Sequence, residues 1–208
     1  MNNISNSRTE IKKHFDSKQI IEESRASSTS PSGNYRLETV SYKQNKPDVN
    51  WTVTKVRVFS THSEKLLFEF FSDYHSFFHK WLLKGKIEYL VGSEVLCGGQ
   101  TVIDLSARKM KSYSPTEDGF IWSDFYFNPS GSNLAVIGCF WACPYEVRVY
   151  DFKAPLALPL SPIKTVSLED SELDNIEWID DNYFQTKCHS DNVRTHSLES
   201  SSIPFSKN

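Results

Sequence analysis

No stretch of this chain approaches the roughly 18 consecutive apolar residues that a membrane-spanning helix requires. The polar, charged segment from Met1 to Thr29 also lacks the apolar core of a secretory signal. The expected location is therefore cytoplasmic, with no membrane partner. An excess of one charge is missing too: 23 Lys and Arg against 26 Asp and Glu leave a net charge of −3. Bulk electrostatics gives no reason to expect a nucleic-acid partner. Cysteine is scarce, with Cys97, Cys139, Cys143 and Cys188 spread over 208 residues. Cys139 and Cys143 have a metal-like gap but no second pair behind them, which argues against structural zinc. In a reducing compartment these thiols are expected to pack as small hydrophobes; the even count leaves two disulfides open elsewhere.

Catalytic signatures are also lacking. There is no Gly-x-Ser-x-Gly, and Gly92-Ser93-Glu94 lacks the flanks of a nucleophile turn. Gly98-Gly99 has no Lys-Ser or Lys-Thr behind it and reads as a turn, not a phosphate loop. Asp73, His75 and His79 lie in an aromatic-rich loop-then-strand segment. On a strand the two histidines point the same way but about 13 Å apart, too far for one metal. The acids from Glu169 to Asp181 carry no base between them; they read as a solvated connection, or as a dock for a basic partner. No cofactor is implied.

What the chain does have is strand signal. From Gly119 to Phe152 three runs rich in β-branched and aromatic residues are visible, with the turn Asn128-Pro129-Ser130-Gly131 between the first two. Pro-Ser-Gly also occurs at Pro31-Ser32-Gly33. Val56-Arg57-Val58-Phe59-Ser60 matches Val147-Arg148-Val149-Tyr150-Asp151, with weaker copies ending at Asp104 and Ser197. The ends at 60, 104, 151 and 197 are spaced by 44, 47 and 46 residues. Trp81, Trp122 and Trp178 each open a segment followed by a turn and another strand. A period of 40 to 50 residues with several short strands per unit marks propeller blades.

Phe127 to Val136, followed by Val147 to Phe152, resembles the second half of a WD-repeat β-propeller unit. Tyr150-Asp151 stands where that family has Trp-Asp, and Asp104 keeps the acid; Ser60 and Ser197 do not, and the family's Gly-His pair is absent. The resemblance implies an all-β fold of antiparallel propeller-like repeats, about four blades of ~46 residues. A compact four-bladed ring is the tightest fit to the length, with an open stack or closure by oligomerisation as alternatives and a β-sandwich as the other fold. Residues 1–18 read as a flexible tail and 19–206 as a single domain, the first unit drawing its inner strand from around Ile20.

The connection Phe140-Trp141-Ala142-Cys143-Pro144-Tyr145-Glu146 is unusual for a hairpin, which favours Gly or Asn at its tip. Trp141 and Tyr145 beside Glu146 make either a rigid binding platform or packing that folds back onto the blade. On the first reading these three are the binding residues of a non-catalytic module whose partner is another protein. The alternative function is a small-molecule binder or hydrolase working at the blade axis, where loops converge.

Overall fold

The structure, a computed structural model, describes residues 2–13, 19–43, 51–117, 119–141, 144–168, 173–188 and 193–198. Helix α1 (Ile4–Lys13) precedes β1 (Ile20–Thr29), β2 (Tyr35–Lys43), β3 (Thr52–Ser60) and β4 (Leu66–Ser72), which form sheet 1. Sheet 2 is β5 (His79–Lys84), β6 (Ile87–Gly92), β7 (Gln100–Asp104) and β8 (Lys109–Tyr113). Sheet 3 is β9 (Ile121–Phe127), β10 (Asn133–Cys139), β11 (Tyr145–Asp151) and β12 (Pro162–Ser167). Sheet 4 has β13 (Leu173–Trp178), β14 (Tyr183–Cys188) and β15 (Val193–Ser197) among the described residues. Each sheet is an antiparallel meander, so the fold is all-β and propeller-like rather than a two-sheet sandwich. Among the described residues no helix is long and apolar enough to cross a membrane.

The recurrence at 60, 104, 151 and 197 falls on the last residue of β3, β7, β11 and β15, the third strand of every sheet. Val56, Val58, Val102, Val147 and Val149 are all fully buried. Strand pleating turns Arg57 and Arg148 to the opposite face. Trp81, Trp122 and Trp178 lie on the first strands β5, β9 and β13, although Trp178 ends its strand instead of opening a segment.

A sheet cannot cover its own faces, and here neighbours do it. Leu37, Val56, Val58 and Phe70 of sheet 1 pack on Leu90 and Ile103 of sheet 2. Tyr89, Val91 and Val102 of sheet 2 meet Trp122, Leu134, Val136 and Tyr150 of sheet 3. Ala135, Val147 and Val149 of sheet 3 meet Ile176 and Phe184 of sheet 4. Strand β10 lies between two such seams, so Leu134 to Ile137 is a continuous buried run.

Polar locks close the ends of the seams. The buried Glu88 carboxylate accepts from the backbone N–H of Ser32 (2.9 Å) and from the hydroxyls of Ser30 and Ser32. Asp181 does the same for the second Pro-Ser-Gly turn, accepting from the Ser130 N–H at 2.9 Å. Asp180 accepts from Asn182 and Tyr183 N–H and stays exposed, so these two acids shape the turn between strands while Asp180 faces water. Glu169, Asp170 and Glu172 lie outside the described residues. Trp81 Nε1 donates to Ser28 Oγ at 3.1 Å, and Trp178 Nε1 to the Tyr126 carbonyl at 3.0 Å, joining first strand to first strand across two seams.

Composition gives a tail at the start of the chain, but residues 4–13 form α1. Its first turn is fixed by the Asn3 carbonyl, which accepts from Asn6 and Ser7, and by Asn2 Oδ1, which accepts from the Ile4 N–H. Ile11 alone is buried, among Val40, Tyr42 and Val53, so no amphipathic period shows in the sequence. Beyond Ile20 and Phe71, which pack on this cluster, the sheet 1 face carries charge pairs: Arg36 pairs with Glu38 and Glu64, and Lys55 and Arg57 pair with Glu69. Beside α1, the fully buried Glu94 pairs with Arg8. Burial pushes the Asp73 carboxyl up to about 6, against the Leu96 N–H that favours the anion, with the charge of Glu94 adding to the rise.

Two tests follow from this packing. Val149→Asp places a charge with no partner in the seam of sheets 3 and 4 and is expected to abolish soluble, folded protein, read by yield and circular dichroism; a well-folded variant would refute the register. Asp73 has its folded value above the ordinary 3.8, so the folded state holds the proton more tightly. Its contribution to stability therefore rises as pH falls through about 6 and levels off below about 4. Asp73→Asn keeps an oxygen for Leu96 and is expected to exceed wild type at neutral pH by about 1 kcal/mol, a figure reduced for partial exposure. Urea melts should show that advantage vanish near the lower end of this range.

Candidate functional site

The loop between β10 and β11 leaves sheet 3, whose β10 is buried on both faces from Leu134 to Ile137. Seven register pairs, from Asn133↔Asp151 to Cys139↔Tyr145, hold its two stems. Trp141 at the tip is 71% exposed, Tyr145 51% and Phe140 44%. These side chains do not fold back to fill the sheet's core; Trp122, Leu134, Val136 and Tyr150 already do. Ala142 and Cys143 lie outside the described residues, and with them the Cys139–Cys143 spacing.

Beneath the tip is a fixed base. The Arg148 guanidinium lies 4.3 Å from the centre of the Phe120 ring and 4.6 Å from that of Phe140. The two rings meet edge to face at 5.7 Å. Glu146 accepts from Arg148 Nε at 3.0 Å and pairs with its Nη2 at 3.0 Å. The cation is thus held by two rings and one carboxylate, which orients all four groups. Glu146, read from sequence as a binding residue beside the aromatics, pairs with Arg148 at the margin of this surface. Further in, Trp122 Nε1 donates to the Tyr150 hydroxyl at 3.3 Å, and burial pushes the Tyr150 phenol up.

Gly138 permits this base. A Cβ there would overlap the Ile121 carbonyl and lie 2.8 Å from Phe120 Cε1. The register of β9 and β10 shifts at this point, between Ile137 and Gly138. The sequence reading missed Phe120, Phe140, Arg148 and Gly138 as parts of the surface. Glycine inside a strand run was the available signal, since it marks a close approach.

The other candidates resolve into packing. His79 donates from Nδ1 to the Phe77 carbonyl at 2.8 Å and accepts at Nε2 from Ser28 Oγ at 3.3 Å, the tautomer that also suits Trp81 donating to Ser28. Burial lowers the pKa of His79. A cavity of about 320 Å³ along the first strands β5 and β9 is lined by Phe77, His79, Lys80, Ser123 and Asp124. Ser123 there donates to the Ile137 carbonyl at 2.8 Å, so two of its polar groups already serve the fold. Asp104 and Asp151, aligned in the repeat, each accept from a backbone N–H of the following turn, that of Ala107 and that of Lys153.

No family model matches the chain. An uncharacterized protein of Acanthamoeba polyphaga mimivirus is 31% identical over 132 residues, covering 61% of this chain and 50% of its own length. The chain thus spans about half the length of the curated relative it matches. Among solved structures, Kuenenia stuttgartiensis hydrazine synthase aligns over 77% of this chain and 54% of its own, at 15% identity and a TM-score of 0.46. The β-propeller domain of Cps50 (Swd1) from Myceliophteria thermophila aligns over 83% and 69%, at 10% identity and 0.45. The C-terminal WD40 domain of Sif2 aligns over 84% and 81%, at 9% identity and 0.41.

Proposed function

We propose that this chain is a cytoplasmic, non-catalytic interaction module that docks another protein on the β10–β11 loop. The observation that carries the reading is Trp141, 71% exposed on a loop whose base is immobilised. A large exposed ring is a cost in water unless something covers it, and Trp and Tyr are enriched among the residues that dominate interfaces. Phe140 and Tyr145 extend the apolar area, while the Arg148–Glu146 pair gives it a polar margin. A rigid base limits the entropy lost on docking.

Trp141→Ala should leave the thermal midpoint within about 2 °C of wild type, since little of the side chain is packed. It should weaken a partner, once captured with the wild-type chain, by about 30-fold, the equivalent of roughly 2 kcal/mol. Calorimetric titration against the captured partner gives the second number. A drop of about 10 °C in the midpoint, or unchanged affinity, would remove the platform reading.

A further inference from the structure

Sheet 2 divides its charges by sign between inside and outside. Of the chain's 23 Lys and Arg and 26 Asp and Glu, 6 and 3 lie between His79 and Tyr113, leaving 17 and 23 elsewhere. The three acids of sheet 2 are buried and engaged. Glu88 holds the Ser32 turn, Glu94 pairs with Arg8, and Asp104 accepts from the Ala107 N–H at 2.8 Å. The bases face water: Lys84 is half-buried and the other five are exposed. A chain of net charge −3 thus carries a cationic surface on one sheet.

Five of these bases gather at one end. Lys84 and Lys86 flank Gly85 in the β5–β6 turn, Arg108 and Lys109 close the β7–β8 turn, and Lys111 follows along β8. Register joins the two turns. Lys84 lies opposite Ile87, and Tyr89 opposite Asp104, which lies opposite Lys109. Lys84, Ile87, Lys109 and Lys111 therefore share one face, with Ile87 39% exposed among the cations. Across four strands the row is about 15 Å long. None of the five side chains makes an ion pair or hydrogen bond among the described residues. Arg108 also sits in the left-handed region, at φ 52°, which is strained for a side chain of this kind. Glu64 takes the same place in the β3–β4 turn at φ 51°, but its carboxylate meets Arg36 at 2.6 Å. No such pair holds Arg108 in place.

We infer that this row is a docking surface for an acidic, extended segment of a partner protein, one with an aliphatic side chain among its Asp and Glu residues. Charge complementarity sets the sign of the partner, and Ile87 sets its apolar position. The length of the row matches about four or five residues of extended chain. A nucleic acid suits it less well. No aromatic side chain of sheet 2 is exposed for a base to stack on, and phosphates running past the row meet the acidic remainder of the chain. A Cβ on Gly131 would lie 3.6 Å from Lys84 Cδ, so the row adjoins the β9–β10 turn, at the opposite end of β10 from Trp141. The two surfaces are separate, and the test of this one does not involve Trp141.

The test titrates the full chain into a fluorescein-labelled peptide, Glu-Asp-Leu-Asp-Glu-Ile-Glu-Asp, read by fluorescence anisotropy at about 50 mM salt. Binding should be saturable in the micromolar range. The combined variant Lys84→Ser, Arg108→Gly and Lys109→Ser should weaken it by about tenfold or more. Its thermal midpoint should stay within about 2 °C of wild type, because glycine relieves the backbone at position 108. Serine in place of the peptide's Leu and Ile should weaken binding by about threefold. Removing three exposed lysines elsewhere, by Lys12→Ser, Lys43→Ser and Lys187→Ser, should change it by less than about twofold. No saturation up to about 1 mM overturns the proposal. So do equal losses in the two triple variants, or tighter binding of a short oligothymidylate than of the peptide. If the first variant does not fold, amide shifts of the wild-type chain decide. The peptide should move residues 84–87 and 105–111 and leave 144–147 in place; shifts confined to other strands refute the site.

Discussion

An antiparallel sheet of three or four strands has two faces and can bury neither without help. That constraint organises the molecule. Sheets 1 to 4 follow one another in the chain, and each apolar face is matched to the next: Val56 and Val58 to Ile103, Val102 to Val136, Val147 to Phe184. Because the apolar faces are paired serially, each strand's alternation is dictated by its position in the stack. β10 has two seams to serve and is apolar without a break from Leu134 to Ile137, whereas β3 has one and alternates Val with Lys and Arg.

Apolar contact alone would let the sheets slide. Direction and spacing come from polar groups at the seam ends, the buried Glu88 and the half-buried Asp181, Trp81 and Trp178, where each has a specific partner. Glu88 and Asp181 bind turns of the preceding sheet, 56 and 51 residues away in the chain. Trp81 and Trp178 add indole bonds between first strands. Satisfied polar groups of this kind specify one arrangement because any slip leaves a carboxylate or an indole N–H without its partner.

The repeat was legible because it is a matter of local pattern. Alternating valines need only their own strand to show, and the third strands were visible at 60, 104, 151 and 197. Helix α1 was not, since one isoleucine among Asn, Ser and Lys gives no stripe; its stability is supplied by Glu94 and the cap at Asn2 and Asn3. The Pro-Ser-Gly turns were visible, but not the carboxylates that hold them, which are remote in sequence. At the candidate surface, Trp141 and Tyr145 stood out by type, while the choice between exposure and packing depended on whether the core was already full. Glu146 stood out as well, but not its pairing with Arg148 two residues on.

Gly138 has a consequence for how such a surface is mapped. Systematic truncation to alanine asks what is lost when side-chain atoms are removed, and it ranks positions by the atoms they bring. Gly138 brings none, yet the seat of Phe120, and through it the position of Arg148 between two rings, depends on the emptiness there. Alanine here is an addition rather than a truncation, and its carbon would meet the Ile121 carbonyl, so the loss it registers is one of space and not of contact. The shape of the surface is set partly by a missing atom, and only substitutions that add bulk can reveal it.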